Sequence, residues 1–185
     1  MTWARPSVAF ALALMITACG GGGDIGGTIT GLTADGLELS NGSETIAVAQ
    51  GATTFAFATP LADGAVYSVT VVTQPTGLRC DVSGGTGIVK SADVAPNVQV
   101  ACVAVFTVGG TVSGLVGAGL VLDSGREKVA VASGAPLFSF PTALATGESY
   151  DVVVATQPAG QTCSVANGAG IVGTGAVTDV AIECR

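Results

Sequence analysis

The amino-acid sequence predicts an all-β protein built as two tandem β-sandwiches. Three observations carry this. Apolar residues alternate with polar or small ones at a period of two over short runs, the signature of half-buried strands. Turn dipeptides fall between those runs, at Asp35-Gly36, Asn41-Gly42, Asp63-Gly64 and Asn167-Gly168. The whole pattern is also written twice, at a constant offset of 83. Gly26-Gly27-Thr28 recurs as Gly109-Gly110-Thr111, Gly31-Leu32 as Gly114-Leu115, Thr73-Gln74-Pro75 as Thr156-Gln157-Pro158, and Cys80 as Cys163. One residue drops out after Val89, so Cys102 matches Cys184. A unit of about 80 residues is a domain in size, not a solenoid repeat of roughly 20–50 residues.

The chain opens with a targeting pattern. Arg5 precedes an apolar run over residues 8–16 that is too short to span a bilayer, which takes about 20 residues. Residues 1–18 read as a signal peptide. The run ends in Ile16-Thr17-Ala18-Cys19, which resembles the lipobox of bacterial lipoproteins: a branched apolar residue, two small residues, then cysteine. The resemblance implies cleavage before Cys19 and acylation of that residue, palmitate included, so that two or more acyl chains anchor the protein stably. Gly20 stands where resembling enterobacterial lipoproteins carry an inner-membrane retention aspartate, which implies the outer membrane. The alternative is an ordinary secretory signal followed by an unrelated cysteine. Removing residues 1–18 leaves 167 residues with 5 basic and 13 acidic side chains, net −8. That charge disfavours anionic headgroups, so the lipid must supply the anchor. Residues 19–25, rich in glycine, read as a tether with a mean span of roughly 15 Å.

Within each unit the strands follow in order. Ile46 and Val48 share a face, as do Val129 and Val131. Phe55 and Phe57 point one way, and so do Phe138 and Phe140. Tyr67, Val69 and Val71 form an inward stripe matched by Tyr150, Val152 and Val154. The closing strands turn Val98, Val100 and Cys102 inward, and likewise Val180, Ile182 and Cys184, with Gln99 and Glu183 outward. Counting runs gives about seven short strands per unit, enough for two packed sheets. The units are expected over residues 26–104 and 109–185, with a connector at 105–108. That connector is apolar and β-branched, unlike a flexible Gly/Ser linker. Phe106 is expected to plug the space between units or extend a strand; the other reading is a ligand contact.

The stretch from Phe55 through Leu61, Gly64, Tyr67, Val69, Val71 and Pro75 resembles small extracellular sandwiches of the immunoglobulin-like and prealbumin-like (CnaB-type) kinds. The unit as a whole resembles a tandem repeat of Gram-negative envelope lipoproteins, through its Gly-Leu opening, F-x-F, the tyrosine-led strand, the Thr-Gln-Pro segment with its cysteine, and the closing V-x-C. No activity comes with that resemblance. CnaB-type domains often hold a Lys–Asn isopeptide bond, but Lys90 and Lys128 occupy non-equivalent positions, so that bond is not carried over.

Five cysteines less Cys19 leave two per unit, and the duplication favours Cys80–Cys102 and Cys163–Cys184 over crossed pairs. Loops of this size suggest about 3 kcal/mol of stabilisation each. No metal ligand set is expected, because CxxC spacing and histidine are both missing from the sequence. The sequence suggests no cofactor and no catalytic residue. A basic footprint for nucleic acid is also missing. Glu44 and Glu127 recur as acids and read as solvated strand-end residues. Asp123-Ser124-Gly125 and Asp35-Gly36 read as turns, and Gly84-Gly85-Thr86-Gly87 lacks the ending of a phosphate loop. No further domain is expected after Cys184.

The outward strand positions are unusually bland. Ala130, Ala132, Val153 and Ala155 mark a candidate interaction surface with little of the lysine that guards exposed strands, for an envelope protein or a second copy of the chain. The expected function is a lipid-anchored, non-enzymatic structural or protein-interaction module of the outer membrane. The alternative is a small-ligand or glycan-binding lipoprotein.

Overall fold

The structure, a computed structural model, describes residues 22–42, 44–90 and 97–185. The signal segment and Cys19 lie outside the described residues. The described chain is all-β. Its strands are β1 (Gly22–Gly23), β2 (Gly26–Thr30), β3 (Leu37–Asn41), β4 (Glu44–Val48), β5 (Thr54–Ala56), β6 (Leu61–Ala62), β7 (Val66–Thr73), β8 (Leu78–Ser83), β9 (Thr86–Ile88) and β10 (Asn97–Phe106). They continue as β11 (Val108–Ser113), β12 (Leu120–Asp123), β13 (Lys128–Val131), β14 (Leu137–Ser139), β15 (Leu144–Ala145), β16 (Ser149–Asp151), β17 (Val153–Thr156), β18 (Cys163–Ala166), β19 (Ala169–Ile171) and β20 (Val177–Cys184).

The pairing repeats as the sequence does. In the first half one sheet runs β5-β2-β10-β8 and a second runs β4-β3-β7-β9. In the second half β14-β11-β20-β18 mirrors the first sheet, and β13-β12-β17 with β16-β19 mirrors the second. Registers coincide too. Gly27 faces Val98 and Gly110 faces Val180, both in parallel pairs, and Leu37 faces Val48 as Leu120 faces Val131. Even the irregularities recur, between Glu38 and Leu39 and between Val121 and Leu122.

Each pair of sheets encloses its own apolar cluster, giving a sandwich-like arrangement. The first contains Ile29, Leu37, Leu39, Phe55, Phe57, Val98 and Val100 among others; the second contains Val112, Leu120, Leu122, Phe138, Phe140, Val180 and Ile182. The paired phenylalanines meet edge to face, at 5.9 Å between Phe55 and Phe57 and 5.8 Å between Phe138 and Phe140, the geometry that the aromatic quadrupole prefers. The Gly-Leu opening also has a physical reason. Gly31 and Gly114 adopt φ of 73° and 72°, and a Cβ on either would collide with the carbonyl of Cys102 or Cys184. The following Leu32 and Leu115 are thereby turned into the cores, each 4% exposed.

Three expectations are corrected. Ile25, assigned to the tether, is fully buried in the first cluster, and Gly22–Gly23 already pairs with Leu61–Ala62. A single apolar residue within a glycine run gives no alternation to read. Where about seven strands per unit were expected, the two sheets of the first half hold eight and those of the second hold nine, because β16 and β17 are separated at Val152. The connector is no separate segment. Val105 and Phe106 end β10, and Val108 begins β11 and is buried in the second cluster.

Candidate interaction surface

The cysteines sit opposite one another on neighbouring antiparallel strands, Cys80 facing Cys102 and Cys163 facing Cys184. They pair at disulfide distance, with Cα–Cα separations of 3.9 and 4.0 Å. The Thr-Gln-Pro segment explains itself here. The Gln74 side chain accepts from the Cys80 backbone N–H at 2.7 Å and donates to its carbonyl at 3.0 Å. Gln157 does the same to Cys163 at the same two distances. Each glutamine stands in for a missing strand partner and holds the edge strand that bears the half-cystine.

The recurring glutamates are clamps as well, not merely solvated strand ends. Glu44 accepts from the backbone N–H groups of Ala58 and Thr59 at 2.7 and 3.1 Å. The Ala58 N–H is the main reason its carboxyl is held below the usual range. Glu127 accepts from Thr142 N–H at 2.8 Å. In both halves the acid, first residue of β4 in one and just before β13 in the other, ties down the turn after the phenylalanine pair.

All four residues of the candidate surface are exposed. Ala130 lies on β13 opposite Val121, and Val153 lies on β17 opposite Asp123. Lys128, itself opposite Asp123, forms an ion pair with it at 3.6 Å. The outward face of β13-β12-β17 thus carries Ala130, Val121 and Ala155 around one charged pair. Ala130 and Val153 stand two strands apart, about 10 Å. Ala132 lies just past the end of β13. Beside Val153 an open depression of about 390 Å³ runs along Asp151, Val152, Val154, Cys163 and Val165.

A second constellation is the junction between the halves, where the sequence reading placed Phe106 but none of the charged residues. Val105 and Phe106 pair antiparallel with Ala145 and Leu144 of β15. Ala104 packs against the first cluster and Phe106 against the second. The backbone N–H of Thr146 donates to the Ala104 carbonyl at 3.0 Å. Across this seam the Arg79 guanidinium donates to both Glu148 oxygens, at 3.1 and 3.3 Å, and Arg126 reaches Glu148 at 3.4 Å. These hydrogen bonds from Arg79, together with the Ala145 N–H, hold the Glu148 carboxyl down at about 2. The same contact raises the pKa of Arg79. One signal could have found the junction. The positions corresponding to Arg79, Arg126 and Glu148 are Thr162, Ser43 and Ala65, so all three charges break the repeat.

No protein-family model matches this chain, and no curated protein matches it. Among the described residues, no group of three or more histidine, cysteine, aspartate or glutamate side chains could hold a metal ion. No helix among them is long and apolar enough to cross a membrane.

Proposed function

We propose that this chain is a lipid-anchored, non-enzymatic protein of the bacterial outer membrane, built from two tandem sandwich domains of the immunoglobulin-like or prealbumin-like kind and acting by surface contact. One observation carries the reading. The glutamates and glutamines that recur in both halves, Glu44 with Glu127 and Gln74 with Gln157, are engaged in holding backbone. What the repeat preserves is scaffold. The lipobox-like Ile16-Thr17-Ala18-Cys19 supports attachment through Cys19, and Gly20 supports the outer membrane. Association with an envelope protein or a second copy would use Ala130, Ala132, Val153 and Ala155, an exposed and weakly charged sheet face.

The test is fractionation of cells carrying Cys19→Ser. The variant is expected in the soluble fraction, and the intact mass of the membrane form should exceed that of residues 19–185 by its acyl groups. Unchanged membrane retention would overturn the anchor. Sedimentation of the Cys19→Ser protein should show self-association that Ala132→Lys or Ala155→Lys abolishes. The second reading, a small-ligand or glycan-binding lipoprotein, draws on the open depression beside Val153. Saturable glycan binding abolished by Val153→Asp would favour it.

A further inference from the structure

We propose that the leading end of the first half is a lipid-contact surface, where Val66 and Ile88 meet the bilayer beside the point at which the chain arrives. The inference rests on the lipid-anchor reading and adds to it a specific face of the protein. Val66 and Ile88 are 72% and 59% exposed and lie directly opposite each other on β7 and β9. Gly22 pairs with Ala62, a tight turn returns Ala65 to Ala62, and Val66 follows at once. Cys19 precedes Gly22 by three residues, which reach at most about 10 Å when extended. Acyl chains on Cys19 therefore enter the bilayer close to this apolar pair.

In the second half the strand next to this end is covered, while Ser149 and Ile171, the counterparts of Val66 and Ile88, stay exposed. There Leu144 and Ala145 are 6% and 3% exposed, beneath the end of β10. In the first half the corresponding Leu61 is half-buried and Ala62 is exposed, and they pair with Gly22–Gly23. A second copy stacked head to tail is the weaker occupant. Its trailing end would offer Thr162 in place of Arg79, and the receiving face has Ala65 in place of Glu148. None of the ion pairs that hold the real junction could form. Nearby charge is mixed, with Asp24 and Asp63 against Lys90, so the contact is apolar and does not depend on anionic lipid. An apolar face held at a membrane lies at the boundary of headgroup and acyl chain, roughly 5–10 Å deep.

The test uses the mature acylated chain, which begins at Cys19 and contains no tryptophan of its own, in phosphatidylcholine vesicles with or without bromine on the acyl chains. Tryptophan is placed singly as Val66→Trp, Ile88→Trp or Ile171→Trp. Ile171 corresponds to Ile88 in the second half and is 72% exposed, so it reports the same local setting one unit farther from the anchor. The expected result is flotation of all three proteins, with bromine-dependent loss of emission for Val66→Trp and Ile88→Trp but not for Ile171→Trp. Flotation without loss at positions 66 and 88, or with equal loss at all three, overturns the inference and leaves the anchor standing. Failure to float overturns the anchor, and the inference with it. An unchanged Cys80–Cys102 peptide map verifies that the exposed substitutions leave the fold intact.

Discussion

The two halves share one ladder that does different work. In the first half Gly22–Gly23 pairs with Leu61–Ala62; in the second, at the same offset, Val105 and Phe106 pair with Ala145 and Leu144. Two glycines add backbone bonds and no apolar cover. A valine and a phenylalanine add cover, and Leu144 and Ala145 are buried where Leu61 and Ala62 are not. The charges at the seam sharpen the contrast, since Arg79, Arg126 and Glu148 have no charged counterparts. A duplicated fold acquires its junction from the residues that depart from the repeat.

If the two clusters are energetically separate, core damage should stay in its own half. Phe140→Ala, at a position 1% exposed, is expected to cost the second half about 3–5 kcal/mol. Phe57→Ala should cost the first half a similar amount. Hydrogen exchange during denaturant titration should show each loss in one half only, whereas equal loss in both would mean a single cooperative unit. Removing a cysteine pair, Cys80→Ala with Cys102→Ala or Cys163→Ala with Cys184→Ala, should cost about 3 kcal/mol, nearly alike because the loops are 22 and 21 residues. Unfolding midpoints of the two variants measure this directly.

Converting the second ladder into the first is the more pointed experiment. Val105→Gly with Phe106→Gly should destabilise the second half by about 2 kcal/mol and broaden the interdomain distances seen by solution scattering. The smallest effect belongs to Glu148→Gln, under about 1 kcal/mol for a partly exposed ion pair, and less in high salt. Its pH dependence is distinctive. The folded protein lowers the Glu148 pKa from 4.5 to about 2, so its contribution is complete above about pH 4.5 and is lost as the pH falls toward 2. Acid titration monitored at the junction should show this loss in the native chain and not in Glu148→Gln.

Much of this architecture was legible in the sequence, because alternation and duplication are local or self-referential signals. The inward stripes at Tyr67 and Val69, the phenylalanine pairs and the closing strands are buried as the period implies. The cysteine pairs follow from the repeat. What escaped depends on contacts distant in sequence. Glu44 looks like a solvated acid until the turn at Ala58 and Thr59 folds onto it. Arg79 and Glu148 are 69 residues apart, and no periodic pattern joins them. Ile25 is a lone apolar residue among glycines, yet it is fully buried. Gln161 makes the same point. It bonds the backbone of Gly114, Val116 and Gly117, while its counterpart Leu78 packs into a core.

The parallel pairs β2 with β10 and β11 with β20 also determine how the molecule bears tension. Pulling on the two ends of a half draws its first and last strands in opposite directions along their length. The hydrogen bonds between them are loaded together instead of parting one at a time. The cysteine pairs tie each trailing strand to its other neighbour, so that strand cannot slide alone. Because β10 continues through Phe106 into the ladder of the second half, force passes between the halves along one strand, with no slack segment to absorb it.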